Sequence, residues 1–152
     1  VKITIAAVGR WRGEPMRALY EEYAGRLQWP LTLREVEVRR RLEGVALKRE
    51  EALLLRAAIP AGALVVALDE RGQALSSTGF AERIGGWRDS GVADLAFLIG
   101  GADGLDPELR DFARARLCFG IMTWPHLLIR GMLAEQLYRA QQILAGHPYH
   151  RA

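Results

Sequence analysis

Apolar and polar positions along this chain switch repeatedly between a strand period and a helix period. Lys2 to Val8 is a short run, mostly apolar and interrupted by Thr4, that closes at Gly9-Arg10 and predicts a strand. Met16, Leu19, Tyr20, Tyr23 and Leu27 then recur on one helical face until Trp29-Pro30 breaks the pattern. Leu31, Leu33, Val36 and Val38, with charges between them, predict a second strand that ends in Arg39-Arg40-Arg41. Gly44 precedes a helix carrying Leu47, Leu54 and Ala58, which stops at Ile59-Pro60. Ala63 to Leu68 and Leu95 to Ile99 are continuous apolar runs, the pattern of strands covered on both faces in a parallel sheet. Asp69 to Gly72 is polar and reads as a loop. Ser77 is placed to cap a helix running to about Arg88, weakened by Gly85-Gly86. Asp106-Pro107 opens another helix with a capping residue and a proline at its first position. Leu117 to Met122 is a further strand, and Pro125 to about Ala145 is the longest helix, apolar on nearly every side. Such a helix needs a second surface to cover it.

The alternation β-α-β-α-β-α-β-α-β-α predicts an α/β fold with a largely parallel sheet. At 152 residues the chain buries about 70% of its unfolded surface on folding, enough for one core, so residues 1–152 are expected to form a single domain. Cys118 is the one cysteine, which excludes a disulfide scaffold. The apolar start is too short to span a membrane and has no signal-peptide pattern, so the expected setting is cytoplasmic. Lys+Arg 21 against Asp+Glu 18 leaves a net charge of +3, and all of these cations except Lys2 and Lys48 are arginines. That bias fits bidentate phosphate binding, and it equally fits a GC-rich genome or heat adaptation.

Ligands in open parallel sheets bind beyond the carboxyl ends of the strands. Three segments qualify: the loop after Leu68, Gly100 to Gly104, and Met122 to His126. Gly100-Gly101 reads either as a tight turn or as a site where backbone N–H groups approach a ligand; it is neither G-x-G-x-x-G nor a P-loop. Ser76-Ser77 lacks the glycines of a nucleophile elbow. The histidines are His126, His147 and His150, and no metal set is complete. His126, beside Pro125, reads as structural or loop-orienting. The segment His147-Pro148-Tyr149-His150-Arg151 packs groups that stack on bases, contact phosphates and move protons.

Leu98-Ile99-Gly100-Gly101-x-x-Gly104-Leu105, Met122-Thr123-Trp124-Pro125-His126, Glu135-Gln136-Leu137-Tyr138-Arg139-Ala140 and His147-Pro148-Tyr149-His150 occur here in order. Together they resemble the ribosomal large-subunit methyltransferase H family of the SPOUT superfamily, and Lys2 to Gly9 extends the resemblance over essentially the whole chain. The resemblance implies a SPOUT-type α/β knot: a mostly parallel sheet, helices on both faces and a C-terminal trefoil knot. It implies a homodimer that transfers a methyl group from S-adenosylmethionine to N3 of a pseudouridine in 23S rRNA, without a metal and away from membranes. Carried over by position, the cofactor pocket comprises Leu68, Gly100, Phe119, Gly120, Ile121, Met122, Thr123 and Trp124. Gly120 stands where a serine is common in the family, and Trp124 where leucine or phenylalanine is usual.

N3 of pseudouridine is protonated at neutral pH, so methyl transfer needs a base or a contact that stabilises the developing charge. His150 is the first candidate for substrate contact and proton acceptance. Tyr149 would position the base, Arg139 or Arg151 would bind phosphate, and Glu135 is a weaker base candidate. Arg10, Arg12 and Arg39 to Arg41 are candidates for RNA contact. Two other readings compete: a non-catalytic ribosome-associated RNA-binding factor on the same fold, and a doubly wound enzyme acting on a small molecule.

Overall fold

The computed structural model describes residues 1–150. Five strands, β1 (Lys2–Val8), β2 (Leu31–Val36), β3 (Leu64–Ala74), β4 (Asp94–Ile99) and β5 (Ala115–Cys118), form one sheet in the order β2-β1-β4-β3-β5. Every pairing is parallel. Five helices alternate with them: α1 (Glu14–Ala24), α2 (Gly44–Ala57), α3 (Ser77–Asp89), α4 (Pro107–Phe112) and α5 (His126–Leu144).

The strand period distributes the core over two faces. Ile3, Ile5 and Ala7 of β1 and Leu95, Phe97 and Ile99 of β4 point to the face covered by α1, α3 and α5. Ala6, Val8, Ala96 and Leu98 point to the other, under Leu55 of α2 and Leu109 of α4. Both faces of β1 and β4 are therefore dry, in keeping with the continuous apolar run of β4 and the mostly apolar run of β1. The last helix lies between α1 and α3 above the sheet, with Leu133, Ala134, Leu137 and Ala140 fully buried. Two glycines allow this close packing: a Cβ on Gly131 would lie 2.9 Å from Leu19 Cγ of α1, and one on Gly85 of α3 would lie 2.9 Å from Leu144 Cδ2. Gly85, which weakens α3 by propensity, thus lets α3 and α5 meet.

Three local expectations need correction. Asp69–Gly72 does not end β3: Leu68 and Gln73 both pair with Leu117, and the polar residues between them bulge out. Arg71 N–H donates to Asp69 Oδ1 at 2.9 Å inside that bulge, and a Cβ on Gly72 would strike the Leu117 backbone nitrogen at 2.6 Å. The polar run is a local turn carried by a strand that resumes afterwards. Ser76, not Ser77, caps α3, its hydroxyl accepting from Gly79 N–H at 3.0 Å, while the Ser77 hydroxyl donates to Gln136 Oε1 of α5 at 2.8 Å. The strand expected over Leu117 to Met122 stops at Cys118, because Gly120, with φ +101, turns the chain out of the sheet.

Candidate active site

The bulge that follows Leu68 in β3 and the carboxyl ends of β4 and β5 converge on a cavity of about 220 Å³. Leu68, Gly100, Phe119, Gly120, Met122, Thr123 and Trp124 line it; the Ile121 side chain does not, and is fully exposed. The Trp124 indole N–H donates to the Phe119 carbonyl at 3.1 Å and closes the 119–124 loop on itself. On the opposite wall, a Cβ on Gly100 would lie 2.7 Å from the Gly104 carbonyl carbon, so the missing side chain makes room for the loop's own return. A bridge between Gly101 and Gly104 holds that return.

Several wall residues were not singled out as site residues from sequence, although Asp69, Asp103 and His126 lie in the candidate loops. Asp69, nearly buried, faces Arg110 at 3.9 Å, and Asp103 and Lys48 complete a charged rim. Near Gly101 the Glu51 carboxyl is pushed above its ordinary value by burial and then by Asp103. His126, the first residue of α5, also lines the cavity and packs against Gly9. Burial, reinforced by the charges of Arg130 and Arg12, holds its imidazole below the ordinary value, which keeps it neutral at pH 7. The available signals were the polar step directly after Leu68 and the Pro-His pair at the start of the last helix.

The tail residues gather elsewhere. Arg139 donates to Glu135 Oε1 through Nε at 2.9 Å and through a terminal nitrogen at 2.5 Å, and the Tyr149 hydroxyl donates to the same oxygen at 3.2 Å. Arg139 also lies 3.1 Å from His150 Nδ1. Arginine has no acceptor, so Nδ1 accepts and the imidazole proton sits on Nε2. Burial and then Glu135 raise the Tyr149 phenol above its ordinary value, so it stays protonated and donates. Glu135, expected as a base candidate, accepts from Arg139 and Tyr149 at Oε1 and from Gln136 at Oε2, and organises the cluster. Arg151 lies outside the described residues. Arg139 is ten positions along α5 from the cavity residue Ile129, a rise of about 15 Å, so this chain's tail cluster and cavity are separate places.

Between them, α1, α3 and α5 border an apolar groove of about 560 Å³. Leu19, Leu75, Phe80 and Met132 form its walls, Glu135 one end, and Cys118 to Gly120 the partition from the cavity.

A family model described as a predicted SPOUT methyltransferase matches residues 1–150. The chain belongs to the SPOUT methyltransferase family. Within this family it is 66% identical over 152 residues to the ribosomal RNA large subunit methyltransferase H of Rhodospirillum centenum, with 100% of both chains covered. It is 54% identical to the protein of that name from Paramagnetospirillum magneticum, over 99% of each. Two solved structures share the fold at 12% identity. One is a probable methylase family protein from Haemophilus influenzae (TM-score 0.57, covering 99% of this chain and 70% of that one). The other is a putative Legionella pneumophila methyltransferase in complex with the bound cofactor SAM (TM-score 0.50, covering 95% and 66%). The SPOUT assignment places the α/β fold with a parallel sheet, expected from the alternating pattern, in a family of methyltransferases. No helix among the described residues is long and apolar enough to cross a membrane.

Proposed function

We propose that this SPOUT protein is an S-adenosylmethionine-dependent methyltransferase acting on N3 of a pseudouridine in 23S rRNA. The observation that carries the reading is full-length identity of 66% to a ribosomal RNA large subunit methyltransferase H, joined to a cavity at the carboxyl ends of the strands. The cavity suits such a cofactor. Leu68, Ile99, Leu105 and Phe119 offer apolar contact for an adenine ring, and the 100–104 and 119–124 loops bring backbone donors and acceptors to its edge. The cofactor, when bound, supplies the electrophilic methyl group.

The chain's own residues then orient the base and stabilise charge. As the N3 proton passes to solvent water, negative charge spreads onto the neighbouring carbonyl oxygens of the base. His150, with its proton on Nε2, is set to donate a hydrogen bond to that charge, and the Arg139 guanidinium behind it adds a positive field. This role replaces proton acceptance for His150 in the arrangement described. Tyr149, held by Glu135 and edge-on to Tyr138 at 4.7 Å, positions the base.

Because Arg139, which holds His150, sits about 15 Å along α5 from the cavity residue Ile129, the reading needs the tail of one subunit at the cavity of another. A homodimer seated on the apolar groove between α1, α3 and α5 supplies this and covers the remaining apolar side of α5. The knot is part of the same proposal. From β5 at the sheet edge, the 119–125 segment lines the cavity at the ends of β3 and β4 and delivers His126 to Gly9 at the end of β1, the path a threaded C-terminal segment would follow.

RNA contact falls to exposed arginines beside the same end of the sheet. Arg10 and Arg12 follow β1, Arg39 and Arg41 are exposed after β2, and Arg40 pairs with Glu50 at 2.7 Å. If these arginines meet phosphates, the affinity for large ribosomal subunits falls steeply with added salt, and Arg39→Glu with Arg41→Glu makes that slope shallower by roughly one unit per lost contact without changing the base modified. A flat salt dependence would contradict this part of the reading.

A further inference from the structure

Arg130 is the largest fully buried side chain among the described residues, and neither cofactor binding nor chemistry accounts for it. Its guanidinium lies beneath the turn that follows β1. One terminal nitrogen donates to Glu35 Oε2 of β2 at 2.7 Å; the other donates to the Val8 carbonyl at 3.3 Å and the Gly9 carbonyl at 3.0 Å. The Trp11 ring stacks over it, 4.5 Å from ring centroid to guanidinium carbon. Glu35 Oε2 also accepts the Trp11 backbone N–H at 3.1 Å. One turn earlier on α5, His126 packs against Gly9, with Nε2 3.2 Å from where a Cβ would stand. The backbone from Val8 to Trp11 is thus tied at both ends to the first two turns of α5.

This is an expensive way to fill a core. A buried ion pair is often matched or bettered by well-packed apolar residues, and here the Arg130 Nε–H has no partner among the described residues. What apolar packing would lack is direction: the five-donor fork fixes two carbonyls and a carboxylate in one arrangement. Arg10 and Arg12 flank Trp11 in that turn and are exposed. Arg10 approaches the outer oxygen of Glu35 only to 3.9 Å, with half its side chain in solvent. At that distance Arg10 makes no hydrogen bond to Glu35, and its half-exposed side chain remains open to a further partner.

We propose that Arg130 is a positioning residue for substrate binding: through Glu35, Gly9 and Trp11 it holds the turn that presents Arg10 and Arg12 to RNA phosphates beside the cofactor cavity. This rests on the reading of Arg10 and Arg12 as RNA contacts. The test is a double-mutant cycle read as equilibrium binding to purified large ribosomal subunits, with calorimetric S-adenosylmethionine affinity as the second readout. Arg130→Lys should weaken subunit binding about tenfold, as expected for displaced phosphate contacts, and leave cofactor affinity within about twofold. In an Arg10→Ala/Arg12→Ala background the same substitution should cost nothing further. Trp11→Leu, which removes the stacked ring without leaving a buried charge unpaired, should show the same pattern at about threefold and serves if Arg130→Lys does not fold. A loss that persists in the Arg10→Ala/Arg12→Ala background, or cofactor affinity falling in step, would assign Arg130 to general stability and overturn the proposal. If Arg10→Ala/Arg12→Ala itself leaves binding unchanged, the RNA-contact reading fails and this inference fails with it.

Discussion

Replacing His150 by alanine lowers the methylation rate about 10²–10³-fold while S-adenosylmethionine affinity stays within about twofold, the effect expected when one donor to a developing negative charge is lost. Arg139→Ala has a loss of similar order, because Arg139 both holds His150 at Nδ1 and joins Glu135 to the cluster. Single-turnover kinetics on ribosomes separates this from weakened binding. The separation of the tail cluster from its own cavity leads to a stronger test. In randomly mixed dimers of a His150→Ala subunit and a subunit defective in the cavity, half of the dimers are hybrids with one intact composite site each, so activity returns to about one quarter of the wild-type level. A site built within one subunit would leave the mixture inactive.

The cavity-defective partner for that mixture is Gly100→Ala, whose direct effect is also large. The added methyl group would meet the Gly104 carbonyl carbon at 2.7 Å and its oxygen at 2.8 Å, both backbone atoms fixed by the Gly101–Gly104 bridge. Only an opening of the 100–105 loop relieves the clash. Overpacking of this kind costs about 1–3 kcal/mol, so a lower melting temperature is expected. Because the loop forms one wall of the cavity, S-adenosylmethionine affinity should fall by at least about tenfold in calorimetry. Gly86→Ala is the control: it lies within α3 with nothing within 4 Å of the added Cβ, and it should leave affinity unchanged while stabilising the helix slightly. Equal cofactor affinity in the two variants would remove the Gly100 loop from the site.

Most of this architecture was legible in the chain because its strongest signals are local. The continuous apolar run of β4 and the mostly apolar run of β1 reflect burial on both faces, and Asp106-Pro107 starts α4 as its capping chemistry requires, with Asp106 Oδ2 accepting from Glu108 N–H at 3.1 Å. What was not legible depends on contacts between distant segments. The polar step Asp69–Gly72 looks like the end of a strand, and only the pairing of both Leu68 and Gln73 with Leu117 reveals that β3 resumes. Cys118 ends β5 because Gly120 turns outward, whereas the apolar pattern alone runs on to Met122. At the site, the glycine loop and the 119–124 loop meet as expected from their places after parallel strands. Arg130 and Glu35 stand 95 positions apart, and no periodicity marks an arginine inside an apolar helix as buried. The tail motif was visible as chemistry; its distance from the cavity was not, since that follows from the length of α5.

The central claim is the reaction, and mass spectrometry of large-subunit RNA tests it most directly. Nucleoside digests of 23S rRNA from the source organism should contain one N3-methylated pseudouridine that disappears when the gene is deleted, returns with the wild-type gene, and returns at a strongly reduced level with His150→Ala. An unchanged pattern of methylated pseudouridine in the deletion strain would contradict the account.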